Sequence, residues 1–405
     1  MSTEIGHRAP VPKSYLACCT DAASSLPESI RNALLTVRRH RFLEGWFKLD
    51  FDGRQLVYQR IDFDRNTPSD DHLTEVYSDQ PLVTAHNGTF PTSSTSQPSL
   101  VTTMLQLLDV HPGMRILEIG TGTAYNAALL AEVGGEHAQV VTIEYQHSVA
   151  EQARTFLHEE GYNNVHVVHG DGFHGAKAEI PFDRIVATVG CSGISPHWLE
   201  QLAPEGSMLV PIQHGLTHPL VQLMRDPTDP FSASGRILGH SSFMRIQGAL
   251  DWENPWDSGP ISTCQEEPAW RRPFPKGLEV PAGCGHPSDT EDHRSFCFYL
   301  SLYSHALWFD NAGYGLADPK SECIVRLTKQ GIEGLGAGPQ KSDAVEKLYQ
   351  QWLSLYQTWT DLGRPDPSDY SLTFSPVGRP GASLPQLSKE WHIKRPHFLE
   401  TVRLT

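Results

Sequence analysis

No stretch of this 405-residue chain approaches 18 consecutive apolar residues, the length that a membrane-spanning helix requires. The opening residues, MSTEIGHRAPVPKSYLACC, lack a basic start followed by an apolar core, so we expect no secretory signal. Only seven cysteines occur, at irregular spacing, which favours reduced thiols and a cytoplasmic protein. Basic residues are also scarce, since 32 Lys and Arg oppose 47 Asp and Glu; the net charge of −15 disfavours a nucleic-acid substrate.

Metal-binding patterns are sparse as well. The sequence contains no C-x-x-C pair. One region has several Cys and His residues, but their spacing fits no common zinc site: Cys264, Cys284, His286, His293 and Cys297. We interpret them as scattered buried thiols and histidines, and expect no metal.

Between residues 98 and 215, short apolar segments alternate with helical patterns. This alternation predicts βαβ units and a parallel sheet covered on both faces, which is a doubly wound α/β fold. The predicted strands are RILEIG (115–120), QVVTIE (139–144), VHVVHG (165–170), FDRIVATVG (182–190) and SMLVPI (207–212). The predicted helices lie near 98–109, 124–133, 148–160 and 196–203, the third beginning with a capping box from Ser148 to Glu151.

The flanking regions have other patterns. Residues 25–43 predict one helix from the spacing of their apolar residues. After residue 215, HPLVQLMRD and HSSFMRIQG predict two antiparallel strands, and the seven prolines of 251–290 predict a linker. A helix from Asp343 has an apolar stripe that we interpret as core rather than as a partner-binding groove: Val345, Leu348, Trp352, Leu355, Trp359 and Leu362.

A glycine-rich loop follows the first predicted strand, in LEIGTGTAYNAALLAE. Gly120 and Gly122 allow the backbone to turn tightly and to approach a ligand. The helix that follows offers free N–H groups and the positive end of its dipole. Ala124 stands where dinucleotide-binding proteins have a third glycine, so the loop alone is a weak indication of a nucleotide site.

Acidic residues strengthen that indication. Glu144 ends the second strand, where a carboxylate can accept hydrogen bonds from two ribose hydroxyls. Asp171 ends the third strand in HGDGF, where it can meet the edge of a base. Glu118, two residues before Gly120, is a third acid near the same place.

These segments resemble the class I S-adenosylmethionine methyltransferases and, more narrowly, the protein-L-isoaspartate O-methyltransferase family. The resemblance is carried by LEIGTGTAYNAALLAE, GYNNVHVVHGDGF, PFDRIVATVG and WLEQLAPEGSMLVPI. Three segments ahead of the glycine loop match family motifs in the right order: VRRHRFLEG (37–45), in which the family's first Pro is missing, YSDQPL (77–82) and STSQPSLV (94–101). The resemblance covers residues 28 to 215, approximately.

The resemblance implies a fold, a cofactor and a set of site residues. The fold is a Rossmann-like doubly wound sheet of the class I methyltransferases, here with an added C-terminal α+β domain, and the cofactor is S-adenosylmethionine. Ser96, with Thr95 beside it, is implied to bind the substrate carboxylate next to the methyl donor. The implied cofactor-binding residues are Glu118, Gly120, Thr121, Gly122, Tyr125, Glu144, Tyr145, Asp171 and Gly172.

The chemistry of a carboxylate substrate agrees with this reading of the hydroxyl run, residues 92–96. A carboxyl group with a pKa near ~4 is already ionised at pH 7, so methyl transfer to it needs no strong general base. A neutral hydroxyl is sufficient to hold it in line with the methyl carbon. The alternative is that these Ser and Thr residues cap the helix that follows them.

We therefore expect a carboxyl O-methyltransferase that acts on Asp or isoAsp in a peptide or protein and whose ester closes to a succinimide. The extra C-terminal residues favour tailoring of a ribosomally made peptide. General isoaspartyl repair, small-molecule O-methylation and a non-catalytic interaction protein that binds S-adenosylmethionine remain alternatives. The expected organisation is an N-terminal substrate-gating segment (1–97), a cofactor domain (98–250), a linker (251–290) and a substrate-selecting extension (291–405).

Overall fold

The computed structural model describes residues 11–12, 14–19, 26–51, 56–179, 181–215, 217–251, 268–275, 279, 290–303, 307–310, 313–318, 320–336, 342–377 and 389–405. The chain divides into two compact units. The first comprises residues 1–210, 222–233 and 243–250, and the second comprises 211–221, 234–242 and 251–405. Residues Cys264, Cys284 and His286 lie outside the described residues.

The first unit begins with short helices and an antiparallel sheet of four strands. In chain order the elements are α1 (Tyr15–Cys18), α2 (Glu28–Thr36), β1 (Gly45–Phe51), β2 (Leu56–Asp62), α3 (Asp70–Val76), β3 (Leu82–His86) and β4 (Pro91–Thr95). The strands are ordered β2–β1–β3–β4. The single helix predicted over 25–43 is wrong in its second half, because Val37 is extended and a 3-10 turn follows at Arg39–Phe42.

The alternating region follows. Its elements are α4 (Pro98–Leu108), β5 (Arg115–Ile119), α5 (Tyr125–Gly134), β6 (Gln139–Glu144), α6 (His147–Glu160), β7 (Val165–His169), β8 (Phe182–Ala187), α7 (Pro196–Gln201) and β9 (Leu202–Pro211). The strands pair in parallel in the order β7–β6–β5–β8–β9. The predicted doubly wound α/β fold is confirmed.

Burial explains why these strands are apolar without alternation. Successive side chains of a strand point to opposite faces of the sheet. In each of the strands β5, β6 and β8, two consecutive residues are both buried: Ile116 and Leu117, Val140 and Val141, Ile185 and Val186. Both faces of the parallel sheet are therefore covered, which is the arrangement that such continuous apolar runs require.

Two local predictions are wrong. Helix α6 begins at His147, before the predicted capping box, and its N-cap residue Gln146 makes no side-chain capping bond. The segment HSSFMRIQG was expected to form a strand, but β10 (His218–Arg225) is followed by β11 at Ala233–Ser241. Residues 243–248 are left outside the strands, and they take part in the site described below.

The described part of the second unit is antiparallel sheet with helices. Its elements after β11 are β12 (Trp270–Arg272), α8 (Glu291–Ser301), β13 (Leu307–Asp310), β14 (Gly313–Asp318), β15 (Cys323–Thr328), β16 (Gly331–Leu335), α9 (Ser342–Asp361), β17 (Tyr370–Pro376), β18 (Glu390–Lys394) and β19 (Phe398–Leu404). One sheet has the order β12–β16–β15–β14–β13, and strands β11, β17, β19 and β18 lie side by side in that order. The predicted C-terminal α+β character is confirmed.

The apolar stripe of α9 belongs to the core of the second unit. Trp352 and Trp359 are fully buried, and both rings contact the ring of Phe296 in α8. Tyr349 and Tyr356 are buried with them, whereas Leu355 and Leu362 are only half-buried. These tryptophans are thus interior residues and not surface anchors for a partner.

Within the ranges that the structure describes, no helix is long and apolar enough to cross a membrane.

Candidate active site

A cavity of about 880 Å³, including its open mouth, lies in the first unit where β5 and β6 end. Ligand sites of open α/β sheets are found outside the carboxyl ends of the strands, as this one is. Its walls come from five segments of the chain, together with Val101, Tyr125, Asn126 and Gly172: residues 92–96, 118–123, 143–146, 188–189 and 243–247. Of the eleven residues that the sequence singles out, only Asp171 is missing from this lining.

The glycine loop forms the floor of the cavity, and its glycines are required by conformation and by space. Gly120 has φ +99°, and a Cβ atom there would lie 2.8 Å from Val189 Cγ1. Gly122 has φ +52°, and a Cβ atom there would lie 3.2 Å from the carbonyl oxygen of Ser94. A residue with a side chain at either position would have a strained backbone. Its Cβ atom would also crowd Val189 or the Ser94 carbonyl oxygen.

Glu144 is held at the cavity wall by two backbone donors. The N–H of Gly122 donates to its Oε2 at 3.0 Å, and the N–H of Gln146 donates to its Oε1 at 3.0 Å. The carboxyl group is buried, which raises its pKa, although the two N–H groups oppose that shift. Because each carboxylate oxygen has a second lone pair, Glu144 can still accept hydrogen bonds from a ligand in the cavity.

Glu118 lies behind the glycine loop in a buried hydrogen-bond network. Asn126 Nδ2 donates to its Oε1 at 2.7 Å, and Thr142 Oγ1 donates to its Oε2 at 2.6 Å. Thr142 is in turn 2.7 Å from the hydroxyl of Thr121, which lies in the loop. Burial raises the pKa of Glu118 to about 7. The geometry supports a role in holding the loop in place.

The two predicted tyrosines differ in their surroundings. Tyr125, at the start of α5, is buried and shares a hydrogen bond of 2.8 Å with the hydroxyl of Tyr15. Tyr145 is 48% exposed and lies at the mouth. Of these two tyrosines, only Tyr145 therefore offers an exposed ring to a ligand.

Asp171 does not line the cavity but fixes one of its walls. Phe173 N donates to its Oδ1 at 2.9 Å, and Ala249 N donates to its Oδ2 at 2.8 Å. Gly248 has φ +96°, and a Cβ atom there would lie 2.4 Å from Asp171 Oδ2. The carboxylate thus holds the end of the 243–249 segment. Sequence reasoning missed this wall, because its apolar pattern predicted a strand.

All five residues of the hydroxyl run line the cavity. The structure does not show the hydroxyl groups of this run capping α4, which was the alternative. There the carboxylate of Asp79 accepts hydrogen bonds from Ser99 N and from Gln97 Nε2, both at 2.8 Å. Asp79, and no hydroxyl of the run, therefore accepts the hydrogen bond from the N–H of Ser99 at the start of α4.

Arg39 fixes the hydroxyl run from behind. Its side chain is 0% exposed. The guanidinium donates to the carbonyl oxygens of Val76 at 2.6 Å, Gln80 at 2.9 Å and Ser96 at 2.8 Å, with longer bonds to those of Ser78 and Thr95. Sequence reasoning did not assign it a role, since it stood within a predicted helix. The signal that was available is its place in the VRRHRFLEG motif.

The strand order, the glycine loop after β5 and the acid that ends β6 together define the site of a class I S-adenosylmethionine methyltransferase. The model of the family "Protein-L-isoaspartate(D-aspartate) O-methyltransferase (PCMT)" matches residues 54–237. Protein-L-isoaspartate O-methyltransferase 2 of Archaeoglobus fulgidus is 40% identical over 141 residues, which are 35% of this chain and 62% of that protein. The protein-L-isoaspartate O-methyltransferase of Methanothermobacter thermautotrophicus is 33% identical over 210 residues, which are 52% of this chain and 92% of that protein.

A solved structure titled "protein-L-isoaspartate O-methyltransferase" aligns with a TM-score of 0.49 and 26% identity, covering 86% of this chain and 92% of that one. The chain belongs to the protein-L-isoaspartate O-methyltransferase family, whose cofactor is S-adenosylmethionine. The donor set fits such a cofactor. The turn at Gly120 and Gly122 leaves a cradle that a Cβ atom would fill, and the buried Glu144 presents acceptors beside it.

Replacing Arg39 tests its hold on the hydroxyl run. In Arg39→Met the carbonyl groups of residues 76–96 lose a charged donor while they remain buried, so the free energy of unfolding should fall by about 3 kcal/mol. Arg39→Lys should recover part of this loss, because it keeps the charge but offers fewer donors. Urea unfolding measures both, with Arg31→Met on the exposed face of α2 as the control. Equal stability of Arg39→Met and Arg31→Met would contradict this role.

The raised pKa of Glu118 predicts that the stability of the protein depends on pH. Its carboxyl group ionises near pH 4.5 when unfolded but keeps its proton up to about pH 7 when folded. The folded state therefore binds more protons in this window, so stability falls as the pH rises from 5 to 8. Relative to Glu118→Gln, which cannot ionise, the wild type should lose at most about 3 kcal/mol. Urea unfolding at both pH values measures this, and parallel behaviour of the two proteins would refute it.

Proposed function

We propose that this chain transfers a methyl group from S-adenosylmethionine to the carboxylate of an isoaspartyl or aspartyl residue in a peptide or protein. One observation carries the proposal: a wall of five hydroxyl residues and the cofactor-type glycine loop line the same cavity. Cytoplasmic location and action on a peptide or protein are likewise proposals for this chain.

Binding and alignment are the tasks of the protein in this reaction. S-adenosylmethionine, when bound, supplies an electrophilic methyl group. The substrate carboxylate is ionised at neutral pH, so the protein has only to hold it and exclude competing water. Neither Lys nor His occurs among the described residues that line the cavity, and Arg245 is the cationic residue there. A carboxylate oxygen forms the new bond to carbon while the carbon–sulfur bond breaks.

Ser96 is the better candidate of the two predicted hydroxyls. Thr95 is almost fully buried, and its Oγ1 lies 3.5 Å from Arg39 Nε. Ser96 is only half-buried, and its carbonyl oxygen is bonded to Arg39. A hydroxyl on a backbone fixed in this way can donate to a carboxylate with little loss of conformational entropy.

The product of this reaction is a methyl ester, and its further reaction needs no residue of this chain. The backbone amide nitrogen that follows the ester attacks the ester carbonyl, methanol leaves with the amide proton, and a succinimide remains. We propose this as the fate of the product.

Tailoring of one dedicated ribosomally made peptide is a second candidate. What supports it is the length of chain beyond residue 237, where the family match ends, which we propose to act as a substrate selector from 291 to 405. Isoaspartyl peptides of unrelated sequence separate the candidates. A repair enzyme should give kcat/KM values within about tenfold of one another, whereas a dedicated enzyme should methylate few or none of them.

Ser96→Ala tests the proposed role of the hydroxyl. Loss of a hydrogen bond to a charged group costs about 1.5–3 kcal/mol, so kcat/KM for an isoaspartyl peptide should fall by roughly 10- to 150-fold. Affinity for S-adenosylmethionine, measured by calorimetry, should change little. Ser99→Ala in α4, outside the cavity lining, is the matched control. Wild-type turnover of Ser96→Ala would remove Ser96 from the reaction.

A further inference from the structure

One face of the sheet β2–β1–β3–β4 is partly buried, and the other is open. Trp46, Leu82 and Thr95 are buried and share the first face, as the register of β1, β3 and β4 shows. The opposite face carries side chains that are not buried: Phe47, Leu49, Tyr58, Arg60, Val83 and His86. The solvent side of an antiparallel sheet is usually polar, so an apolar and aromatic surface here calls for an explanation. We name these six residues the aromatic face.

The rings of the aromatic face are already packed together. Tyr58 and His86 are stacked, with ring centroids 3.9 Å apart and an interplanar angle of 3°. Phe47 meets His86 edge-on at 4.5 Å, and the guanidinium of Arg60 lies over the Phe47 ring at 5.4 Å. Leu49 pairs across the strands with Tyr58 and is 42% exposed. A surface of rigid rings binds a ligand with little further loss of entropy.

The aromatic face is continuous with the active-site cavity. Phe47 pairs with Val83, and Val83 pairs with Ser94, which lines the cavity. Neighbouring strands are about 4.8 Å apart, so the backbones at Phe47 and Ser94 are separated by about 10 Å. An extended peptide advances about 3.3 Å per residue, so about three residues cover this distance.

We propose that the aromatic face binds the stretch of substrate peptide beside the methylated residue and selects a bulky apolar or aromatic side chain about three positions away from it. The inference rests on the proposed function and adds to it a class of preferred sequence. A peptide is the occupant that the structure favours, because the face runs directly into the wall that holds the carboxylate. The aromatic face is mostly apolar and carries one cation, Arg60, so its composition does not favour an acidic partner.

The test uses isoaspartyl peptides that carry Phe or Ala three positions from the isoaspartate, on either side. For wild type, KM should be about tenfold lower with Phe in the favoured direction. In Tyr58→Ala this preference should disappear while kcat stays unchanged, since the interaction does not differ between ground state and transition state. Val57→Ala is the control, because Val57 neighbours Tyr58 on the same strand, points to the opposite face and is 40% exposed.

A binding measurement that does not depend on turnover separates the two proposals. Fluorescence anisotropy of the labelled peptides should show the same preference for Phe in wild type and in Val57→Ala, and its loss in Tyr58→Ala. If wild type prefers the Phe peptide but transfers no methyl group to it, peptide binding by the aromatic face is supported and the proposed methyl transfer is refuted. Equal binding of the Phe and Ala peptides by wild type would refute the proposed binding of substrate peptide to the aromatic face. Self-association of the protein that is abolished in Tyr58→Ala would refute it as well, because a second copy of the chain would then be the occupant.

Discussion

The buried guanidinium of Arg39 makes the interactions on which the hydroxyl wall of the cavity depends. It donates to the carbonyl oxygens of Val76 at the end of α3, of Gln80 before β3 and of Ser96 after β4, and no other described side chain makes these bonds. A buried cation requires such acceptors, and the carbonyl groups require a donor, so each stabilises the position of the other. The backbone of the hydroxyl run is fixed as a result, and its five residues line one wall of the cavity.

The side formed by the glycine loop has the same construction, with carboxyl groups in place of the guanidinium. Glu144 accepts from the backbone of the glycine loop, and Glu118 reaches the loop through Thr142 and Thr121. Asp171 holds the third wall by its bond to Ala249 N. Arg39, Glu144 and Asp171 each attach one wall of the cavity to backbone groups of the scaffold, which favours a pre-formed site over one assembled on binding.

The sequence predicted the parallel sheet and most of the cavity because both depend on local patterns. Apolar strands, a glycine loop and acids at strand ends occupy fixed places in a βαβ unit, and ten of the predicted site residues line one cavity. The rest depends on contacts between distant segments. Nothing local shows that Arg39 breaks a helical pattern to reach Ser96, that Asp79 rather than a hydroxyl caps α4, or that the predicted strand at 243–248 serves as a wall. The burial of Trp352 and Trp359 was expected from their periodicity, and it leaves Phe47 and Tyr58 as better candidates for substrate contact.

We propose that the hydroxyl wall and the glycine loop serve methyl transfer to a carboxylate. The most direct measurement incubates the protein with S-adenosylmethionine labelled in its methyl group and three peptides that differ only at one position, which is isoAsp, Asp or Asn. The account predicts a base-labile methyl ester on the isoAsp or the Asp peptide and none at Asn. Label that resists base, or equal transfer to the Asn peptide, would contradict it.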